Sequence, residues 1–360
     1  LISTILTFND FNDFNEDIMT IGQKKIGLMG CGAVATYGHI PAMLATPGLK
    51  LQSIFDPNEE TLKYIQEKFS IPEAYNNCED FFKADIDAVS ITSPAPCHLQ
   101  NVLDCANAGF PVLCEKPLCM DRSEATQMID AMAKADKSLY TAFCYRFSPS
   151  ALKIKELVDA KAIGEVKSLR LIYNWNVHGK YEIDADGNKI IQKRREDRMF
   201  EGGPMVDCGT HQIDLAKFWL NSDVSKFTAS GAWVDEYEAP DHMWLHMDHD
   251  NGAHSCVEIS YSYCHTTKHK QTEFVYELIG TEGVIRYDRE QKYLRLDNTE
   301  GTHEFDFHGE KSFEGMYEEW AKALQTGHSD LLTSAEDGMR VVEIARTATN
   351  QVIEGRKLDT

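Results

Sequence analysis

Positive charge is scarce in this chain: 36 Lys and Arg stand against 57 Asp and Glu over 360 residues, a formal net charge of −21. A field of that sign repels phosphate backbones and anionic lipid before local contacts form, which argues against nucleic acid or a membrane surface as partner. Also missing is any apolar run near the roughly 20 residues that cross a bilayer. The first eighteen residues hold no Lys or Arg, only Asp10, Asp13, Glu16 and Asp17, the wrong charge for a signal or transit peptide. Met19 is a candidate start, so residues 1–21 are set apart as an N-terminal extension. None of the ten cysteines forms a CxxC pair, and Cys114, Cys144 and Cys256 sit in apolar runs. They read as buried thiols of a reducing compartment, and the expected location is cytoplasmic. There are no repeats and no low-complexity linker; the length favours two domains, each with its own core.

What is present is an α/β pattern. From Lys24 short apolar runs alternate with helical stretches, as in parallel strands joined by crossover helices. Strands are expected at 24–29, 51–55, near Ala74 and Tyr75, at 86–91, 111–114 and 138–143. A helix is expected over 98–108, with Leu99, Val102, Leu103 and Ala106 on one face. These make a Rossmann domain over 22–147. Beyond Ser148 the order becomes helix (151–160), strand (166–175), helix (about Pro204 to Leu220), then successive strands from Lys226 to about Phe307. Strands in succession predict a large, mostly antiparallel open sheet, closed by helices near 313–325 and 335–354. Residues 148–360 are thus read as an α+β domain, its terminal helix a candidate to pack back on the Rossmann domain.

The segment Lys25-Ile26-Gly27-Leu28-Met29-Gly30-Cys31-Gly32-Ala33-Val34-Ala35 reads as a strand, a GxGxxA turn and the start of a helix. Gly30 permits the tight turn and Gly32 lets backbone N–H groups reach a pyrophosphate, with Ala33 and Val34 as further cofactor contacts. The small Ala35 lets helix and strand pack closely, and the anion meets the helix N-terminus. The second strand ends in Ser53-Ile54-Phe55-Asp56-Pro57, which offers a carboxylate to the adenosine ribose. No Arg follows to compensate a 2′-phosphate, so NAD is favoured over NADP. The alternative for Asp56 is a cap on the turn before Pro57.

After the fifth strand comes Cys114-Glu115-Lys116-Pro117, and after a glycine pair comes Pro204-Met205-Val206-Asp207-Cys208-Gly209-Thr210-His211-Gln212-Ile213-Asp214. Pro204 starts a helix on which Asp207, His211 and Asp214 share one face. Taken with the glycine loop, Thr92-Ser93-Pro94…His98 after strand four and Tyr145-Arg146-Phe147-Ser148-Pro149 after strand six, the order and spacing resemble the glucose-fructose oxidoreductase and inositol dehydrogenase family (Gfo/Idh/MocA) from about residue 22 to the C-terminus. The resemblance implies an NAD(P)-dependent oxidoreductase acting on a sugar, polyol or sugar derivative. It places Lys116, Asp207 and His211 in the catalytic group and Ser93, Pro94, His98, Glu115 and Lys116 around the cofactor. It further implies a homodimer or homotetramer formed through the second domain's sheet.

Hydride transfer from a secondary alcohol leaves an oxygen that must lose a proton, so the site needs a base and a cation there. His211 suits the base, Lys116 the cation and Asp207 a substrate or orienting hydrogen bond. Which of Lys116 and His211 takes the proton stays open. Tyr145, Arg146 and Trp175 are candidate substrate contacts, with packing as their alternative; so is Asp214, otherwise a helix-surface charge. Pro96 departs from the family's turn, leaving His98 between a cofactor contact and a helix cap.

His242, His246, His249 and His254 invite a metal reading. A strand over 241–248 followed by an Asn251-Gly252 turn puts His242 and His246 on one face and His249 on the other, so no metal site is expected. The run Lys193-Arg194-Arg195-Glu196-Asp197-Arg198 is expected to be solvated surface; its alternative is a lid whose arginines meet an acidic substrate group or a neighbouring subunit. His178 joins Trp175 as a candidate for stacking on a sugar. Two rival functions stand beside the dehydrogenase: an NAD-dependent glycosidase acting by transient oxidation, and a non-catalytic dinucleotide- or sugar-binding sensor. Retention of Lys116, Asp207 and His211 together argues against the sensor.

Overall fold

A computed structural model describes residues 22–176, 181–183, 186, 188–191, 193–235, 237–264 and 266–358. The N-terminal extension and His178 lie outside the described residues. The chain divides into two compact units. One gathers the described residues up to Glu115 with Thr126–Ala142 and Phe313–Ala335; the other takes Lys116–Ala125, Phe143–Ser312 and the chain from Glu336 on.

The first unit alternates strand and helix: β1 (Lys24–Met29), α1 (Ile40–Ala45), β2 (Leu49–Phe55), α2 (Glu59–Phe69), β3 (Glu73–Tyr75), α3 (Cys78–Phe81), β4 (Ala88–Ile91), α4 (His98–Ala108), β5 (Val112–Glu115), α5 (Arg122–Lys134) and β6 (Leu139–Ala142). β4, β5 and β6 are buried at every position, the mark of parallel strands covered on both faces. The sheet order is β6-β5-β4-β1-β2-β3, all parallel, and the two-residue strand Thr333–Ser334 adds an antiparallel edge beside β6. Strand order reverses between β1 and β4, where a doubly wound sheet opens its ligand crevice. Local chemistry sets the helix ends. The Asn58 side chain accepts from the Thr61 N–H to start α2, and Gly109, at φ 81°, stops α4.

The second unit continues with α6 (Pro149–Asp159), whose first turn is capped by the Ser148 hydroxyl, and β7 (Val166–Asn174). A hairpin of β8 (Tyr181–Ile183) and β9 (Lys189–Ile191) leads to α7 (Lys193–Phe200). A five-residue π turn, Met205–Gly209, opens α8 (Thr210–Leu220). The remaining strands are β10 (Val224–Ala232), β11 (His242–His249), β12 (His254–Ser260), β13 (Glu273–Gly280), β14 (Gly283–Asp288), β15 (Tyr293–Asn298) and β16 (Gly301–Phe305). They form an eight-stranded sheet in the order β10-β11-β12-β7-β13-β14-β15-β16, antiparallel except between β12 and β7.

Alternation decides which face is covered. Met243, Leu245, Met247, Val257, Ile259, Leu169, Leu171, Tyr276 and Leu278 point into one core with α8, every residue of which is buried. The terminal helix, Ala335–Leu358, packs in that core through Val341, Ile344, Ala345 and Ala348. On β11, His242 and His246 face away from the core while His249 is buried. Among the described residues, no group of three His, Cys, Asp or Glu is placed to hold a metal, and no helix is long and apolar enough to cross a membrane.

Candidate active site

In the first unit, β1 runs straight into the glycine loop. Gly30 sits at φ +99°, and a Cβ there would lie 2.5 Å from the Ser93 backbone nitrogen, so glycine is required twice over. Gly32 differs: a Cβ on it would meet nothing within 4 Å, leaving open space above its Cα. Helix begins at Ala33, passes through Val34 into a π turn over Ala35–His39, and Ala35 is fully buried against the sheet. The Asp56 carboxylate accepts the Cys31 N–H at 2.8 Å and the Asn58 N–H at 2.9 Å, tying the end of β2 to the loop and capping the following turn. The residues after it are Pro57, Asn58, Glu59 and Glu60, with no cation to meet a 2′-phosphate. An open Gly32, a free helix start and a carboxylate at the end of β2 fit the pyrophosphate and ribose of NAD.

The turn after β4 lies against this loop. His98 is buried and its Nε2 lies 2.9 Å from the Ser93 carbonyl, while the Ser93 hydroxyl donates to Asn101 at 2.7 Å. Pro94 is exposed. His98 therefore braces the turn at the first position of α4, where Cys97 is the N-cap residue. Glu115, at the end of β5, is buried and lies 2.8 Å from His39 Nε2; His39 Nδ1 meets the Tyr317 hydroxyl at 2.7 Å, which in turn meets Ser90 Oγ at 2.7 Å. This polar chain sits where unpaired groups would be costly.

The second unit brings Lys116, Asp207 and His211 together. Lys116 Nζ donates to Asp207 Oδ1 at 2.8 Å and to the Asp207 carbonyl at 2.7 Å. Arg198 pairs with the same Oδ1, and the Tyr261 hydroxyl donates to Oδ2. Burial alone would push the Asp207 carboxyl up, but the Lys116 and Arg198 cations and their hydrogen bonds outweigh it and hold it well below the usual carboxylate range. His211, on the next turn of the helix, is 4% exposed. Its ring stands edge-on to Tyr145 at 4.8 Å and Phe143 at 5.6 Å. Burial first, then Lys116 and Lys311, push the imidazole well below its ordinary range. Nδ1 is buried without a partner, while Nε2 is not among the buried atoms left without one.

The expected single face of Asp207, His211 and Asp214 is broken by the π turn, which holds an extra residue per turn before α8 begins. Asp214 is 1% exposed and accepts both Arg146 Nε and Nη2 at 2.7 Å, with Phe218 beneath the guanidinium at 4.8 Å. Arg146 and Asp214 are thus paired with each other, as a fully desolvated helix face demands. Tyr145 lies beside His211. Trp175 stacks on Tyr173 at 5.4 Å, with backbone bonds to Ser260 and Tyr263. Arg198, Tyr261 and Lys311 were not singled out by spacing. Arg198 was hidden in a charged run, and Tyr261 reaches Asp207 from β12's far end, 54 residues away in sequence.

Two family models match the chain: "Oxidoreductase family, NAD-binding Rossmann fold" over residues 24–143, and "GFO/IDH/MocA C-terminal domain" over 151–286. The chain belongs to the Gfo/Idh/MocA oxidoreductase family. Among relatives, myo-inositol 2-dehydrogenase of Thermotoga maritima is 29% identical over 59% of this chain and 60% of its own length. D-apiose dehydrogenase of Rhizobium rhizogenes is 25% identical over 95% of this chain and 99% of its own. A solved probable dehydrogenase from Thermotoga maritima superposes with a TM-score of 0.75 at 25% identity, covering 92% of this chain and 97% of that one. An apo scyllo-inositol dehydrogenase from Lactobacillus casei shares the fold, with a TM-score of 0.74 at 21% identity over 93% and 97%. Its Rossmann unit makes this family member NAD-binding.

Proposed function

We propose that this oxidoreductase moves a hydride between NAD and a secondary alcohol or carbonyl of a sugar, polyol or sugar derivative, with Lys116, Asp207 and His211 as the reacting group. One observation carries the reading: an ionised Asp207 holds the Lys116 ammonium at 2.8 Å, beside an imidazole kept neutral. The names of two relatives, an inositol and an apiose dehydrogenase, point to the same substrates.

Bound nicotinamide supplies the two-electron acceptor, so the protein has only to manage the proton and the charge on oxygen. Asp207 keeps Lys116 charged and aimed, and the ammonium steadies the substrate oxygen as it gains negative character. His211, kept neutral, takes the hydroxyl proton. Tyr145 and Phe143 fix the plane of that ring.

NADH formation over a panel of inositols, aldoses and sugar acids tests the assignment, with Lys116→Ala and His211→Ala beside the native chain. The expected result is stereospecific turnover that falls by about 10²-fold or more in each variant. Cleavage of a glycoside without net NADH would replace it with the transient-oxidation reading, and tight NAD binding with no turnover would favour the sensor.

A further inference from the structure

Cations outnumber anions around Asp207. Its Oδ1 is shared by Lys116 and Arg198. A third cation, Lys311, acts on both His211 and Tyr145 from a stretch anchored by the Ser312 N–H on the Cys144 carbonyl at 3.2 Å. Among the described residues Glu201 is a further carboxyl beside this cluster, and burial pushes it up. In a chain of net charge −21 this surplus is not a by-product of composition.

Three other cations of this unit are paired. Arg146 has both arms of its fork on Asp214, Lys217 is divided between Asp223 and Asp337, and Arg289 lies over Phe274 at 4.4 Å and on Glu290. Arg198 is different. Among the described residues its guanidinium meets Asp207 alone, its side chain is 27% exposed, and its remaining N–H groups are not among the buried atoms left without partners. They face water from within the cluster that holds Lys116. α7, which carries Arg198, ends at Phe200, and Gly202 and Gly203 after it are both at positive φ.

We propose that Arg198 receives a carboxylate carried by the substrate, so that the enzyme's preferred substrate is a sugar acid or acidic polyol and not a neutral sugar. The inference rests on the hydride-transfer reading above and names the substrate class of the same site. A guanidinium fork matches a planar carboxylate at two points, which an ammonium does not. A surplus of one charge on Oδ1 is balanced by a monoanion.

Matched pairs test this: D-gluconate against D-glucitol and D-glucuronate against D-glucose, assayed with NAD in the native chain, Arg198→Gln and Arg198→Lys. The native chain is expected to favour the acid of at least one pair by about 10- to 100-fold in kcat/KM, the worth of a charged hydrogen-bonded contact. That ratio should collapse toward unity in R198Q, mainly through KM for the acid, and recover in part in R198K. Turnover of neutral sugars alone, or an acid-to-neutral ratio unchanged in R198Q, overturns the proposal and leaves the dehydrogenase reading standing. If the native chain turns over neither, that reading fails instead. Calorimetric binding of D-gluconate and D-glucuronate to the NADH-loaded protein, native against R198Q, then decides this one: an equal or absent signal in both overturns it.

Discussion

His211 lies where burial and two ammonium groups all oppose its protonation. Because the proton is disfavoured in the folded state, the base stays available well below pH 6.5, the ordinary imidazole value. The acid limb of kcat/KM for alcohol oxidation is therefore expected below the ordinary imidazole value. Lys311→Ala removes one of the charges that lower this value, so the limb should move up; a pH–rate profile with the limb unmoved would separate Lys311 from the site. The same sign holds for stability: the unfolded chain binds a proton at about pH 6.5 that folded His211 refuses, so stability is lost as pH falls through that region. Lys116, Asp207 and His211 were legible because each sits in a short motif of fixed spacing. Tyr261 was not, since its reach to Asp207 depends on the register of β12 beside β7. Nor were Arg146 and Asp214 as a pair, because sequence shows a helix period but not the π turn that shifts it.

The glycine loop separates two roles that a motif treats as one. Gly30→Ala forces a side chain onto the Ser93 backbone at a left-handed φ and is expected to cost about 1–3 kcal/mol of stability. Gly32→Ala adds a methyl to open space. It should leave the melting temperature nearly unchanged while weakening NAD binding about tenfold or more, because the methyl occupies the pyrophosphate's approach. Thermal melts beside NAD titrations check both; a stable G32A with native affinity would place the cofactor elsewhere. At this scale the sequence was informative: β1 and α4 fall at their expected bounds, and β11 turns at Asn251-Gly252 as its alternation requires. Hydrophobic period carries that information locally. What it could not carry was long-range company, such as the return of Phe313–Ala335 to the first sheet.

For the whole molecule, the side of the eight-stranded sheet away from α8 has the cross-strand row Trp244, Glu258, Ile172 and Val275, in which Trp244 and Glu258 are half-buried and Ile172 and Val275 buried, with Ile279 43% exposed. A large, partly apolar sheet face is suited to a second copy of the chain. We expect a dimer or tetramer by light scattering, and smaller species when Ile279 and Trp244 are both replaced by Arg; a monomeric native protein would end that expectation. The polar chain from Ser90 through Tyr317 and His39 to Glu115 joins residues up to 278 positions apart. On the ribosome, then, the dinucleotide-binding sheet is made early but finished late. Its buried imidazole has no Tyr317 to meet, and β6 no Thr333–Ser334 edge partner, until those later residues have been synthesised. A stop codon that removes Tyr317 and Thr333–Ser334 therefore damages a sheet whose other strands are already made.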